Sequence, residues 1–241
     1  MTLEPFTPEE LKARAMRVRR MITWMIIVAI VMFFAGLTSA YVVSMSGGYW
    51  VDIAVPQPFW ISTAAIIASS VPAYLAVRAA RSGKTGSIPV LLAATLLLGL
   101  VFTWNQFNGW KELTIKGNFL VSKVLDNKGV YGVDYTIRFQ GKPLVLEDGQ
   151  FYLPDDHAHV KPLNADLDEQ KNTSSSFFYA LTGAHLAHLF FGLVSLLVML
   201  VMALRKRYSP ADHAGLWSGV TYWHFLGVLW VYLLSFLVFV H

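Results

Sequence analysis

Three histidines lie in stretches that otherwise hold no ionisable side chain: His185 and His188 within 172–204, and His224 within 214–240. His185 and His188 are three residues apart, which on a helix places them on one face, one turn apart. His224 sits in Tyr222-Trp223-His224-Phe225. Two chemistries are open to imidazoles placed in this way. One is ligation: His185 or His188 with His224 would make an independent b-haem membrane protein. The other is hydrogen bonding to neighbouring helices or to lipid head groups. A haem–copper centre or a membrane di-iron site needs more histidines than these spans offer, so the supply of ligands favours the second. His157 and His159, in Asp155-Asp156-His157-Ala158-His159, are of a metal-ligating type, but no further ligand is identifiable near them, and an exposed loop is the better reading. Cysteine is absent. That excludes disulfides, iron–sulfur clusters, thiolate-bound or covalently attached haem, and a cysteine-bridged copper pair.

The elements that must carry these histidines follow from composition. Of 241 residues, 55% are hydrophobic and 14% charged. Soluble domains carry about 25% charged residues, so this is an integral membrane protein. Five runs are long enough to cross a bilayer at 1.5 Å per residue. They predict an all-α membrane protein with helices near 21–45, 58–80, 87–107, 176–204 and 217–240. Lys12, Arg14, Arg17, Arg19 and Arg20 precede the first span. Arg78, Arg81 and Lys84 follow the second, and Arg205, Lys206 and Arg207 follow the fourth. The connection 46–57 has neither Lys nor Arg. Positive-inside alternation then puts the N-terminus in the cytoplasm and the C-terminus outside. The first span is too long for the apolar core of a cleaved signal peptide.

The chain divides into a basic cytoplasmic tail (1–20), helices one to three (21–107), an extracytoplasmic insertion (108–175) and helices four and five (176–241). The insertion holds ten of the fifteen acidic residues. Asn127-Lys128-Gly129, Gln140-Gly141-Lys142 and Asp148-Gly149 are turn signals. Tyr131–Phe139 and Pro143–Leu146 between them predict a small β-ribbon, followed by the polar, strand-poor stretch 155–176.

No Asp, Glu, Lys or Arg lies inside the apolar runs that define the spans, 21–51, 53–77, 85–110, 172–204 and 214–240. Ion-coupled transporters use carboxylates at membrane depth and broken helices, so a transporter is disfavoured. Gly183 and Gly192 flank the histidine pair and would let helices approach closely. The aromatic stretches Tyr49-Trp50, Phe59-Trp60 and Trp104–Trp110 fit span ends. Nothing suggests a nucleic-acid partner.

Phe177-Phe178-Tyr179-Ala180-Leu181-Thr182-Gly183-Ala184-His185-Leu186-Ala187-His188, with Gly192 beyond, resembles a signature of subunit III of the haem–copper terminal oxidases. Tyr222-Trp223-His224-Phe225 with Trp230 resembles the last helix of that family. Met32-Phe33-Phe34-Ala35-Gly36-Leu37 with Ala40-Tyr41 is similar to its first helix in short bacterial members, and Phe102, Gln106, Trp110 and Leu113 match more weakly. The resemblance implies five helices in a V-shaped pair of bundles. It implies a non-redox subunit of a bacterial cytochrome c oxidase, or of a quinol oxidase, in the plasma membrane. It implies no cofactor in this chain, with haem and copper in partner subunits, subunit I as the main partner, and bound phospholipid. His185, His188, Trp223 and His224 would then contact lipid or join the bundles, and Gly183 and Gly192 would serve helix packing. Three positions where relatives carry an acid are Ile30, Gly109 and Gly227 here, which puts a proton-feeding role in question. The insertion 108–175 is expected to dock a neighbouring subunit or an electron-donating complex.

Overall fold

The computed structural model describes residues 7–156, 158–210 and 212–240. Helix α1 spans Pro8–Met45, so the basic tail is helical from Pro8 onward. Thr7 explains the start: its backbone N–H donates to Glu10 Oε2 at 2.8 Å, and the Glu10 N–H donates to Thr7 Oγ1 at 3.4 Å. This reciprocal cap, followed by proline in the first turn, fixes where the helix begins. Strand β1 (Tyr49–Ile53) and helix α2 (Gln57–Arg81) follow. A short 3-10 turn leads into α3 (Ile88–Ile115).

Helix α3 runs two turns past the predicted span and stops at Gly117. The Gly117 N–H donates to the Thr114 carbonyl at 3.1 Å, and the Asn118 N–H to the Leu113 carbonyl at 2.9 Å. This pair of bonds closes a helix around a left-handed residue, and Gly117 has φ +85°.

The insertion is built from strands β2 (Tyr135–Phe139), β3 (Lys142–Pro143), β4 (Val145–Glu147) and β5 (Gln150–Tyr152), then the short helix α4 (Asn164–Glu169). Two of the predicted turn signals join hairpins: Gln140 and Gly141 link β2 to β3, Asp148 and Gly149 link β4 to β5, and all four have positive φ. That is the backbone of the tight hairpin turns. Two strands, β5 and β1, were not expected. β1, from the first connection, pairs antiparallel with β2 in the register Tyr49↔Phe139 to Ile53↔Tyr135, making the sheet order β1-β2-β3.

Helix α5 (Thr173–Leu204) begins at Asn172, whose Oδ1 accepts the Ser175 N–H at 3.0 Å. Helix α6 (Ala214–Phe239) ends the described chain. Five stretches are long and apolar enough to cross a membrane: 13–45, 57–81, 85–115, 173–204 and 214–239. Their outward faces are apolar, as lipid requires: Val90 is 72% exposed and Trp104 70%.

The chain forms two compact units. The basic-end unit draws its residues from 1–33, 65–101 and 188–229; the sheet-bearing unit draws from 34–64, 102–187 and 230–241. The first holds the clustered arginines of the tail and of the second and fourth connections. Trp223, Leu92 and Ile66 are fully buried in it. The second holds both small sheets and a core of aromatic rings, among them Phe34, Tyr41, Phe59, Phe102, Phe178 and Trp230.

Candidate lipid-contact site

In the sheet-bearing unit, His185 is completely buried. Its ring lies 5.9 Å from Phe102 (edge-on) and 5.2 Å from Trp230 (tilted), centroid to centroid. Rings at such distances gain packing beyond their buried area. Trp230 is held in turn, its Nε1–H donating to Thr63 Oγ1 at 2.8 Å, and Thr63 donating to the Phe59 carbonyl at 2.7 Å. Phe59 meets Trp230 edge-on at 5.6 Å and Phe178 face-on at 5.8 Å. Gln106 Nε2 donates to Ser62 Oγ at 2.8 Å, and Trp110 Nε1 to Thr182 Oγ1 at 3.1 Å. Away from water each such group needs a partner, and helix-to-helix bonds supply it. Gly183 lies against Trp110 at ordinary contact distance.

The other three residues of the sequence signatures belong to the basic-end unit. Trp223 is buried, its Nε1–H donating to Ser69 Oγ at 2.9 Å. The ring fills space that only glycine leaves: a Cβ on Gly99 would come within 2.6 Å of it, and one on Gly192 within 3.3 Å. His188 lines a groove of about 500 Å3 between α1, α5 and α6. Its ring stands 6.1 Å from that of Phe33, and its carbonyl accepts the Tyr222 hydroxyl at 3.1 Å. Ile26, Ala29, Ile30 and Phe191 make the groove apolar, and Ser218 contributes a buried hydroxyl with no hydrogen-bond partner among the described residues. An apolar channel with a few polar groups suits an acyl chain and its ester. His224 opens elsewhere, into a smaller groove between α2 and α6 with Arg78 and Arg81. Within this unit His188 and His224 therefore serve different cavities. Among the described residues, no group of three or more His, Asp or Glu is placed to hold a metal ion.

The three positions without a carboxylate have distinct surroundings. Ile30 lines the His188 groove. Gly109 is closed over by Phe59, whose Cε1 would lie 2.2 Å from an added Cβ. Gly227 is buried, with Ile66 3.5 Å from where a Cβ would stand.

On the insertion, His157 lies outside the described residues. His159 Nδ1 pairs with Glu147 Oε2 at 2.5 Å, and its ring packs on Tyr152 at 4.7 Å. Asp156 accepts the backbone N–H groups of Lys161 and Val160, which hold its carboxyl below the usual range. Sequence reading missed Asp52 on β1. It pairs with Arg138 of β2 in a cavity of about 420 Å3 that Trp60 and Leu237 also line. Burial pushes its carboxyl above the usual range, against the opposing pull of Arg138. The signal was present, since Asp52 is the one charged residue of the first connection, but its partner lies far along the chain.

Residues 163–240 match the family model described as cytochrome c oxidase subunit III. Cytochrome c oxidase subunit 3 of Corynebacterium diphtheriae is 27% identical over 83% of this chain and 77% of its own length. The probable cytochrome c oxidase subunit 3 of Nocardia farcinica is 24% identical over 87% of this chain and 81% of its own. The subunit 3 of Papio hamadryas is 28% identical over 61% of this chain and 48% of its own. The family match covers α5 and α6, where the histidine signatures lie, and the bacterial relatives carry the similarity across most of the chain.

Proposed function

We propose that this chain, a member of the cytochrome c oxidase subunit III family, is the non-redox third subunit of a bacterial cytochrome c oxidase. It stabilises the catalytic subunit and retains lipid, while haem and copper reside in partner subunits. In this reading the N-terminus faces the cytoplasm and cytochrome c is the electron donor, with a quinol oxidase as the alternative. The observation that carries the proposal is how the signature residues are used. His185 packs between Phe102 and Trp230, Trp223 bonds Ser69, and His188 borders an apolar groove. These placements support packing and lipid-contact roles over ligation.

The His188 groove is where a phospholipid tail would lie, with the free Ser218 hydroxyl offering a hydrogen bond to an ester. Where the family resemblance implies a glutamate this chain has Ile30, and among the described residues the groove's lining offers no carboxylate to relay protons. The insertion would dock a neighbouring subunit or a donor complex, a role supported by valines 121, 130, 133 and 160 exposed outside the spans.

The test is to strip this chain from the purified complex with detergent. The remainder should keep its full reduced-minus-oxidised haem spectrum and copper content while losing activity progressively during turnover. Loss of a haem band together with the chain would refute the proposal.

A further inference from the structure

The groove beside His224 has a construction that the family signatures do not explain. It holds about 240 Å3 between α2 and α6, lined by Tyr74, Arg78 and Arg81 on one side and Trp217, Thr221 and His224 on the other. Among the described residues, no carboxylate lines it. Neither guanidinium group has an ion-pair or hydrogen-bond partner among the described residues. Arg78 and Arg81 are three apart, so both guanidinium groups project from one side of the last turn of α2. Trp217 also meets Arg20, whose guanidinium carbon lies 5.1 Å from the ring centroid in cation–π contact.

What continues from this cationic end carries no charged side chain and turns apolar with depth. On α2 the same stripe runs from Arg78 through Tyr74 to Val71 and Ile67, and the last two are exposed. On α6 it runs from Trp217 through Thr221 and His224 to exposed Val228. Each stripe runs over twelve residues, whose eleven steps span about 16 Å at 1.5 Å per residue. A pair of unpaired arginines at the head and an apolar track of that length behind it match an amphiphile. A free phosphate would have no use for the track.

The geometry points to a binding site for an anionic phospholipid, its phosphate held by Arg78 and Arg81 and an acyl chain laid along the α2–α6 groove. Arginine suits a phosphate because its planar fork donates two parallel hydrogen bonds. This extends lipid retention to a second groove, and it holds or fails whether or not the chain belongs to a cytochrome c oxidase.

The experiment is native mass spectrometry of the complex purified in mild detergent, followed by add-back of phosphatidylglycerol, phosphatidylcholine or inorganic phosphate. Wild type should retain one more anionic phospholipid than R78Q/R81Q. Phosphatidylglycerol should bind the variant about 30-fold more weakly, from the attraction of two arginines for an anionic lipid. R78K/R81K should keep most of the binding. R205Q/R207Q, which removes equal charge nearby, should keep the tightly held lipid. Equal binding of phosphatidylcholine by wild type would overturn the proposal, as would full displacement by inorganic phosphate, which would mark a simple anion site. Capture of a partner subunit's carboxylate in place of lipid would overturn it too. If R78Q/R81Q does not assemble, the wild-type add-back series still decides. The haem spectrum of the same sample reports separately on the oxidase assignment.

Discussion

Replacing Gly109 by alanine is expected to damage the core far more than the same change at Gly183. Both glycines are inside membrane-spanning helices. At Gly109 an added Cβ would lie 2.2 Å from Phe59 Cε1, so the ring must retreat about 1.2 Å to reach an ordinary 3.4 Å contact. It has little room to do so. Phe59 is fully buried, with Phe178 stacked on one side and Trp230 edge-on at another, and Trp230 is tied to Thr63. Overpacking of this kind costs about 1–3 kcal/mol. With the ring this confined the upper end applies, and alanine returns about 1 kcal/mol of helix propensity. The net is a loss of about 2 kcal/mol, or a thermal midpoint lower by about 4–8 °C for a chain of this size. At Gly183 the nearest atom to an added Cβ is Trp110 Cζ2 at 3.9 Å, so G183A should leave the midpoint unchanged or raise it slightly. The assay is differential scanning fluorimetry of the detergent-purified complex. The double variant F59L/G109A should recover part of the loss, because the two sites share one contact. Equal midpoints for G109A and G183A would refute the argument. Success would also explain why an acid at position 109 is incompatible with Phe59 as it stands.

Further outcomes follow from other sites. Gly117→Ala would press a Cβ to 1.9 Å from the Asp126 carbonyl at φ +85°, whereas Gly132→Ala, at φ +81° with nothing within 4 Å, meets backbone strain alone; limited proteolysis should show the insertion opening in the first and much less in the second. Trp230→Phe deletes one buried hydrogen bond to Thr63, which should cost about 1 kcal/mol, read as a lower thermal midpoint. His188→Leu should reduce lipid retained by the purified complex while the haem bands stay in place. Asp134 gives a pH prediction: the Val130 N–H and then Lys116 hold its carboxyl below the usual range. A lowered acid stabilises above its unfolded pKa and loses that contribution as pH falls through its folded value. Hydrogen exchange at the Val130 amide should therefore accelerate below the ordinary carboxylate range, and Asp134→Asn should flatten the dependence. Lys116 reinforces the same corner. Burial alone would lower its amine, but bonds to Glu112 and Asp134 outweigh this and raise it, so its contribution is lost only in strong alkali.

The spans were legible because a bilayer imposes one requirement on every crossing, a long run without charge. Helix ends were less so. Helix α1 begins at Pro8 rather than near 21 because Thr7 and Glu10 cap it, and the charged residues that end a membrane run do not end a helix. Gly117, not Lys111, stops α3 for the same reason. Gln140-Gly141 and Asp148-Gly149 were readable as turns because positive φ restricts which residues fit. Strand β1 was hidden, since five residues without clean alternation signify little until Tyr135–Phe139 supplies the partner. The shortage of ligands led to the expectation that the histidines pack or face lipid; the geometry sets His185 against aromatic rings and His188 and His224 in separate grooves. Which groove each would face was not legible, because that depends on how α1, α2, α5 and α6 pack.

The central claim is that this chain works as a colourless partner of a haem-bearing subunit. The most direct test is gentle purification through a tag on this chain, with a reduced-minus-oxidised spectrum and a subunit count on the same sample. The account predicts a complex in which haem bands arrive with a larger many-helix subunit. A chain that arrives alone and red would show its histidines to be ligands and contradict the account.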